Sequence, residues 1–223
     1  MEDRHEARAR APRHSLSRSR VVAAAVALAD ERGLGALTIR GIADRLGVGP
    51  MALYHHVAGK EEILDAIVDA VFVEMDAPVP GAPWRPELER RSRSARAVLA
   101  RHPWALGLLE TRRTPGPATL HHHDAVVGVL LEDGFEPQVA AHAYALLDAY
   151  VYGFALQESS LPFEAETADV VAEEMLAGMR DAYPHLARLA AAVVQVPGYD
   201  FADEFEHGLE VVLDGIAGLA ARG

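Results

Sequence analysis

The chain has 223 residues, half of them hydrophobic, enough for one large domain or for a small one joined to a larger one with a sizeable core. It has no Cys, which excludes disulfides, zinc–thiolate sites and a thiol nucleophile; no uninterrupted apolar run approaches the roughly 18 to 20 residues that span a bilayer, and the Arg-rich start lacks the apolar stretch of a secretion signal, so a cytoplasmic protein with no membrane partner is expected. The net charge of −12 is unevenly spread, since residues 1–60 carry ten Lys/Arg against six Asp/Glu and residues 61–223 carry eleven against twenty-seven, which leaves a basic start on an acidic body and confines a polyanionic partner to that start.

Nearly every segment has helical period and none alternates long enough for a strand, which predicts an all-α protein. Residues 1–16 show no apolar stripe and are expected to be a flexible basic arm. From Ser17 to Arg32, Val21, Val22, Ala25, Val26 and Ala29 fall at helical spacing, and Gly33 and Gly35 supply a stop. Thr38 suits the cap of a second helix with Ile39, Ile42, Ala43 and Leu46 inward, ended by Gly47. Pro50 suits the first turn of a third, short helix in which Leu53 and Val57 share a face. After "AGK", Ile63, Leu64, Ile67, Val68, Val71, Phe72 and Met75 mark a long fourth helix, which the Pro-rich "APVPGAPW" must end. Further helices are expected near 85–101, 103–112, 117–133, 137–160, 166–181, 184–195 and 200–221.

Two short helices separated by "GVG" have the helix-turn-helix pattern. With Leu53 and Val57 inward, Met51, Ala52, Tyr54 and His55 point outward. Tyr and His donate to phosphates or base edges, and Met and Ala meet a thymine methyl. Arg40, in the first turn of the second helix, and Lys60, the sole Lys, at the start of the fourth, are placed for phosphates. "GVGPMA" also satisfies a dinucleotide-binding fingerprint, but that motif needs a buried strand before it, whereas "IRGIADRL" is helical by period and carries charges throughout.

The run "LTIRGIADRLGVGPMALYHHVAGKEEILDAI", with the preceding "VVAAAVALADERGLGA", resembles the DNA-binding domain of TetR-family transcriptional regulators over roughly residues 17–72. "LHHHDAVVGVLLEDGF" and "ALLDAYVYGFALQESS" look like the C-terminal regulatory domain of the tetracycline-repressor branch. The resemblance implies a homodimer that represses transcription at a palindromic DNA operator and lets go when a small-molecule effector enters the C-terminal domain. It implies a helix-turn-helix DNA-binding domain over residues 17–75 and an effector-binding and dimerisation domain over 76–223. DNA contacts would come from Thr38, Arg40, Met51, Ala52, Tyr54, His55, His56 and Lys60.

In the C-terminal body, Ala140, Tyr144, Leu147, Val151 and Phe154 form one stripe, and Phe201, Phe205, Leu209, Val212, Ile216 and Leu219 another. Both are candidate dimer faces, and Gly208 and Gly215, one heptad apart, would let helices approach closely. The expected effector pocket is apolar with a few polar groups, and Phe72, Met75, Trp104, Leu108, His122, Tyr150 and Phe154 are candidates to line it. "HHHD" raises a competing class, an all-α metal-dependent enzyme or metal sensor. Of these four residues only His121 and Asp124 have the i, i+3 spacing that lets helical side chains converge on one ion. A third class is a DNA-binding protein without an effector. No Gly-x-Ser-x-Gly elbow, His-Glu-x-x-His or P-loop is present, His102, Asp148 and Ser159 are too scattered to predict a triad, and neither a cofactor nor enzymatic activity is expected.

Overall fold

The computed structural model describes residues 16–109, 111–161, 181–196 and 198–221, so the arm but for Leu16, and the helix expected at 166–181 but for Asp181, lie outside the described residues. Among the described residues the fold is helical, with no strand. The chain divides into two compact units, the first ending at Ile67 and the second beginning at Val68.

In the first unit, α1 (Arg18–Arg32) starts where Ser17 Oγ accepts the Arg20 N–H, and a 3-10 turn (Leu34–Ala36) leads to α2 (Ile39–Leu46). Thr38 caps α2 as the sequence predicts, its Oγ accepting the Gly41 N–H at 2.9 Å. Gly47 ends α2 in the left-handed conformation, and the Val48 N–H reaches back to the Ala43 carbonyl at 3.0 Å. Then come α3 (Pro50–Leu53) and α4 (Lys60–Glu74), a helix whose two halves belong to different units. The core joins Val21, Ala25, Leu28, Ile42, Ala43, Leu53, Val57, Ile63 and Ile67. Val22 and Val26 are only half-buried, because the inward stripe of α1 is set by Leu28, which packs where a Cβ on Gly41 would sit.

The second unit contains the latter half of α4, α5 (Trp84–Arg101), a 3-10 turn (Pro103–Ala105) with α6 (Leu106–Leu109), α7 (Pro117–Glu132), α8 (Pro137–Ser159), α9 (Pro184–Leu189) running into a π turn (Ala190–Val194), and α10 (Glu204–Ala220). The long helix α8 is central, packed on α5, α7 and α10. It is long and apolar enough to cross a membrane by composition, but Ala140, Ala143, Leu147, Val151 and Phe154 are spent on the unit's own core. On α10 the buried stripe is Phe205, Leu209, Leu213 and Ile216, so Leu213 holds the place expected of Val212.

Candidate functional site

In the first unit a very short helix stands on a fully buried footing. Leu53 and Val57 are buried, whereas Met51 is 74% and Tyr54 49% exposed. The helical turn is shorter than its sequence period suggests. After Leu53 the chain turns, with the His56 and Val57 N–H groups both donating to the Leu53 carbonyl, and then leaves helical geometry to bury Val57. Of the eight residues expected to meet DNA, Thr38, Arg40, Met51, Tyr54, His55 and Lys60 are exposed, and Ala52 and His56 are half-buried.

The cations are held differently. Arg45 is committed to Glu31 by two hydrogen bonds of 2.7 Å, which tie α2 to α1 and hold the Glu31 carboxyl below its usual range. Among the described residues Arg40 meets Asp44, at 4.0 Å and with both side chains exposed, an association of little energy. At the start of α4, Glu62 accepts the Ala58 N–H at 2.6 Å and an Arg18 N–H at 3.3 Å, so the Ala58 N–H is already engaged beside Lys60.

In the second unit the seven candidate pocket residues fall into separate places. Met75, Trp104 and Leu108 are buried in the core. Tyr150 and Phe154 line a cleft of about 490 Å³ together with Leu189, Val193, Tyr199 and Phe201, and the rings of Phe154 and Phe201 stack at 4.8 Å. Phe72 and His122 meet elsewhere, at 5.4 Å between ring centres, beside His123 and Tyr144.

Around His122 the structure assembles a buried polar cluster that the sequence reading missed. Arg91 on α5 is fully buried; its Nε donates to His122 Nε2 at 3.0 Å, and its Nη2 lies 2.7 Å from Asp148 Oδ1 and 3.2 Å from the Tyr152 hydroxyl. Burial works against the Arg91 charge, and Asp148 and Tyr152 more than offset it. Burial, and then the Arg91 charge, lowers the His122 pKa to about 3, so the ring is neutral. Because Nε2 accepts from Arg91, the single ring proton is on Nδ1. Burial, and then the Asp148 charge, raises the Tyr144 hydroxyl above its usual range. A sequence signal existed. In the Arg-rich run "RRSRSAR", position 91 lies three residues after Leu88 and four before Ala95, on the inward face of α5.

The predicted dimer stripes are turned inward. Leu147, Val151, Phe205, Leu209 and Ile216 are buried within one protomer because α8 and α10 pack face to face, and Tyr144 and Val212 are half-buried. Gly208 admits its own chain's Tyr150, whose hydroxyl would lie 2.3 Å from a Cβ there and donates to the Phe205 carbonyl. Nothing lies within 4 Å of a Cβ on Gly215. The outward face of the pair carries Leu146, Leu156 and Val211, 50%, 55% and 60% exposed.

His121 and Asp124 are both exposed on α7, and among the described residues no group of three or more His, Asp or Glu is arranged to hold a metal ion. His102, Asp148 and Ser159 do not meet as a triad. His102 approaches Glu74, Asp148 pairs with Arg91, and Ser159 donates to the Leu156 carbonyl.

Residues 21–67 match the family model of bacterial regulatory proteins of the tetR family, and residues 77–219 match the tetracyclin repressor-like C-terminal domain. The chain is 36% identical to an HTH-type transcriptional regulator of Saccharopolyspora erythraea, over 92% of this chain and 86% of that one. It is 35% identical to the HTH-type transcriptional repressor DrrR1 of Streptomyces coeruleorubidus, over 96% and 82%. The structure of the Streptomyces coelicolor TetR family protein ActR in complex with actinorhodin superposes with a TM-score of 0.78 at 28% identity, covering 93% of this chain and 98% of that one.

Proposed function

Since the chain belongs to the TetR family of transcriptional regulators, we propose that it is a repressor that occupies a palindromic operator as a homodimer and releases it when a small molecule enters the second unit. The observation that carries the DNA reading is the exposure of Met51 on a one-turn helix, and of Tyr54 and His55 on the turn that follows it, with Leu53 and Val57 fixed in the core. Large apolar and hydrogen-bonding side chains held out on a rigid mount are what base-edge readout needs, and Arg40 and Lys60 supply phosphate contacts that set its register. Thr38, Ala52 and His56 complete the contact surface in this reading.

A single reading head of this size specifies few base pairs, so a second copy is required. Its contact surface is the outward face of α8 and α10, where Leu146, Leu156 and Val211 are exposed and Gly215 leaves room for close approach. Repressor DrrR1 and the actinorhodin complex of ActR support the repressing role and the small-molecule effector. The effector acts by population shift: it binds more tightly to the dimer whose two reading heads no longer match successive major grooves, roughly 34 Å apart. An effector with equal affinity for both arrangements would change nothing.

Selection of bound duplexes from a random pool tests the proposal. A palindromic winner bound by two chains is the expected result; a winner without two-fold symmetry, or no enrichment, would refute it.

A further inference from the structure

Between Glu6 and Asp30 the chain carries five Arg and no carboxylate, and Arg8, Arg10 and Arg13 stand in the stretch before α1 that has no apolar stripe to bury. The structure fixes where that stretch joins the first unit. Arg18, in the first turn of α1, reaches across to α4, where its Nε and Nη2 donate to Glu62 Oε1 at 3.4 and 3.3 Å. The other Glu62 oxygen accepts the Ala58 N–H at 2.6 Å, so the start of α1 is held against the turn from Ala58 to Glu62. Lys60, the proposed phosphate contact, is in that same turn. Whatever precedes Ser17 therefore joins the unit beside the phosphate strand that Lys60 would hold. A phosphate strand has the major groove on one side and the minor groove on the other. With Met51 and Tyr54 in the major groove, the groove across that strand is the minor one, about 6 Å wide, too narrow for a helix but open to an extended chain and to Arg side chains. The reach is sufficient: Arg13 is five residues before Arg18 and Arg8 ten, which extend to at most about 17 Å and 35 Å, against about 17 Å for half a turn of duplex.

We infer that residues 8–13 enter the minor groove that flanks each half-site, where Arg8, Arg10 and Arg13 donate to base-edge acceptors and to the phosphates along the groove. The inference rests on the DNA reading of the first unit and adds to it a second groove and a preference outside the half-sites. In the minor groove A·T pairs present acceptors alone, whereas G·C pairs add the guanine 2-amino donor, so a guanidinium favours A·T there. Runs of A·T also narrow the groove and deepen its negative potential, which favours the same choice.

Binding of the full chain to the duplex selected from the random pool tests this, beside a full-length variant that combines Arg8→Ala, Arg10→Ala and Arg13→Ala. The duplexes keep the half-sites and differ only in their flanks, which are A·T, G·C or inosine·C pairs. Inosine lacks the guanine 2-amino group, so it alters the minor-groove edge and leaves the major-groove edge of G·C intact. The wild type should bind the A·T and inosine·C flanks alike, and both about tenfold more tightly than the G·C flank. The variant should bind all three alike, at least about tenfold more weakly than the wild type binds A·T, with a salt slope lower by about two to three phosphates per chain and an unchanged preference within the half-sites. Unchanged affinity in the variant would overturn the inference, as would a wild type that treats inosine·C as it treats G·C. A variant that binds more weakly yet keeps the flank preference would reduce the three Arg to general charge attraction and overturn the groove assignment. One that binds more tightly than the wild type would put them on the acidic body of the chain and overturn it too. All these failures leave the DNA reading standing. A wild type that binds the selected duplex no better than a scrambled one refutes that reading itself, and the inference with it.

Discussion

Lys60 and His55 are both exposed and both basic residue types, yet the proposed roles give them different signatures. A phosphate contact carries no sequence information, so Lys60→Ala should weaken binding to all duplexes about equally and reduce the salt slope by about one phosphate per chain. His55→Ala or Tyr54→Phe should instead change the preferred base at one position of each half-site, at about 1–3 kcal/mol. Binding of matched single-base variants across salt separates the two. His122 supplies a further test in the second unit. Its pKa is 6.5 when unfolded and about 3 when folded, so between these values the unfolded chain binds the extra proton. Its contribution to stability is therefore complete above pH 6.5 and is lost as the pH falls, at about 1.4 kcal/mol per pH unit. Both Trp residues, Trp84 and Trp104, belong to the second unit, so denaturant unfolding followed by their fluorescence should show this slope above the carboxylate range and lose it in His122→Gln.

At the scale of elements, α3 has a single turn and too few hydrogen bonds to persist alone, so Leu53 must anchor it. Leu53→Ala should cost about 2–5 kcal/mol in the first unit and abolish specific DNA binding, which thermal melts and duplex binding would read together. In the second unit Asp69 of α4 caps α7, accepting the Thr119 N–H at 2.8 Å and its hydroxyl at 3.1 Å. A Cβ on Gly116 would lie 2.3 Å from this doubly held carboxylate. Gly116→Ala should therefore destabilise by about 1–3 kcal/mol, Asp69→Ala by about 1 kcal/mol, and the pair by less than their sum, which melting of all three variants would reveal.

Elements of this kind explain what was legible in the sequence. The Thr38 cap, the Gly47 stop, Pro50 at the start of α3 and the inward pair Leu53 and Val57 follow from local rules, and the structure has all of them. Gly41 and Gly116 looked like ordinary glycines and Gly208 like room for a partner helix, because what fills the space beside each comes from a distant part of the chain: Leu28, Asp69 and Tyr150. Arg91 was hidden for the same reason. Its spacing from Leu88 and Ala95 marks the inward face, but its partners His122, Asp148 and Tyr152 are on two other helices, and nothing local says that an Arg finds them.

For the whole molecule, the apolar stripes of α8 and α10 were visible but their destination was not. Period identifies a face to be buried and does not say whether a chain buries it against itself or a copy. In the structure the stripes fill the protomer core, and the proposed dimer surface is the opposite face. Leu146→Glu with Val211→Glu should leave the protomer's helical content unchanged and shift sedimentation from dimer to monomer, with operator affinity lost in parallel. The most direct measurement is the affinity of the protein for its selected duplex and for a scrambled duplex of equal length, across salt, with the stoichiometry at saturation. The proposal predicts two chains per palindrome, a preference for the selected duplex of on the order of a thousandfold or more, and a steep fall of affinity with salt for both. Equal affinity for the two duplexes, or saturation by one chain, would contradict it.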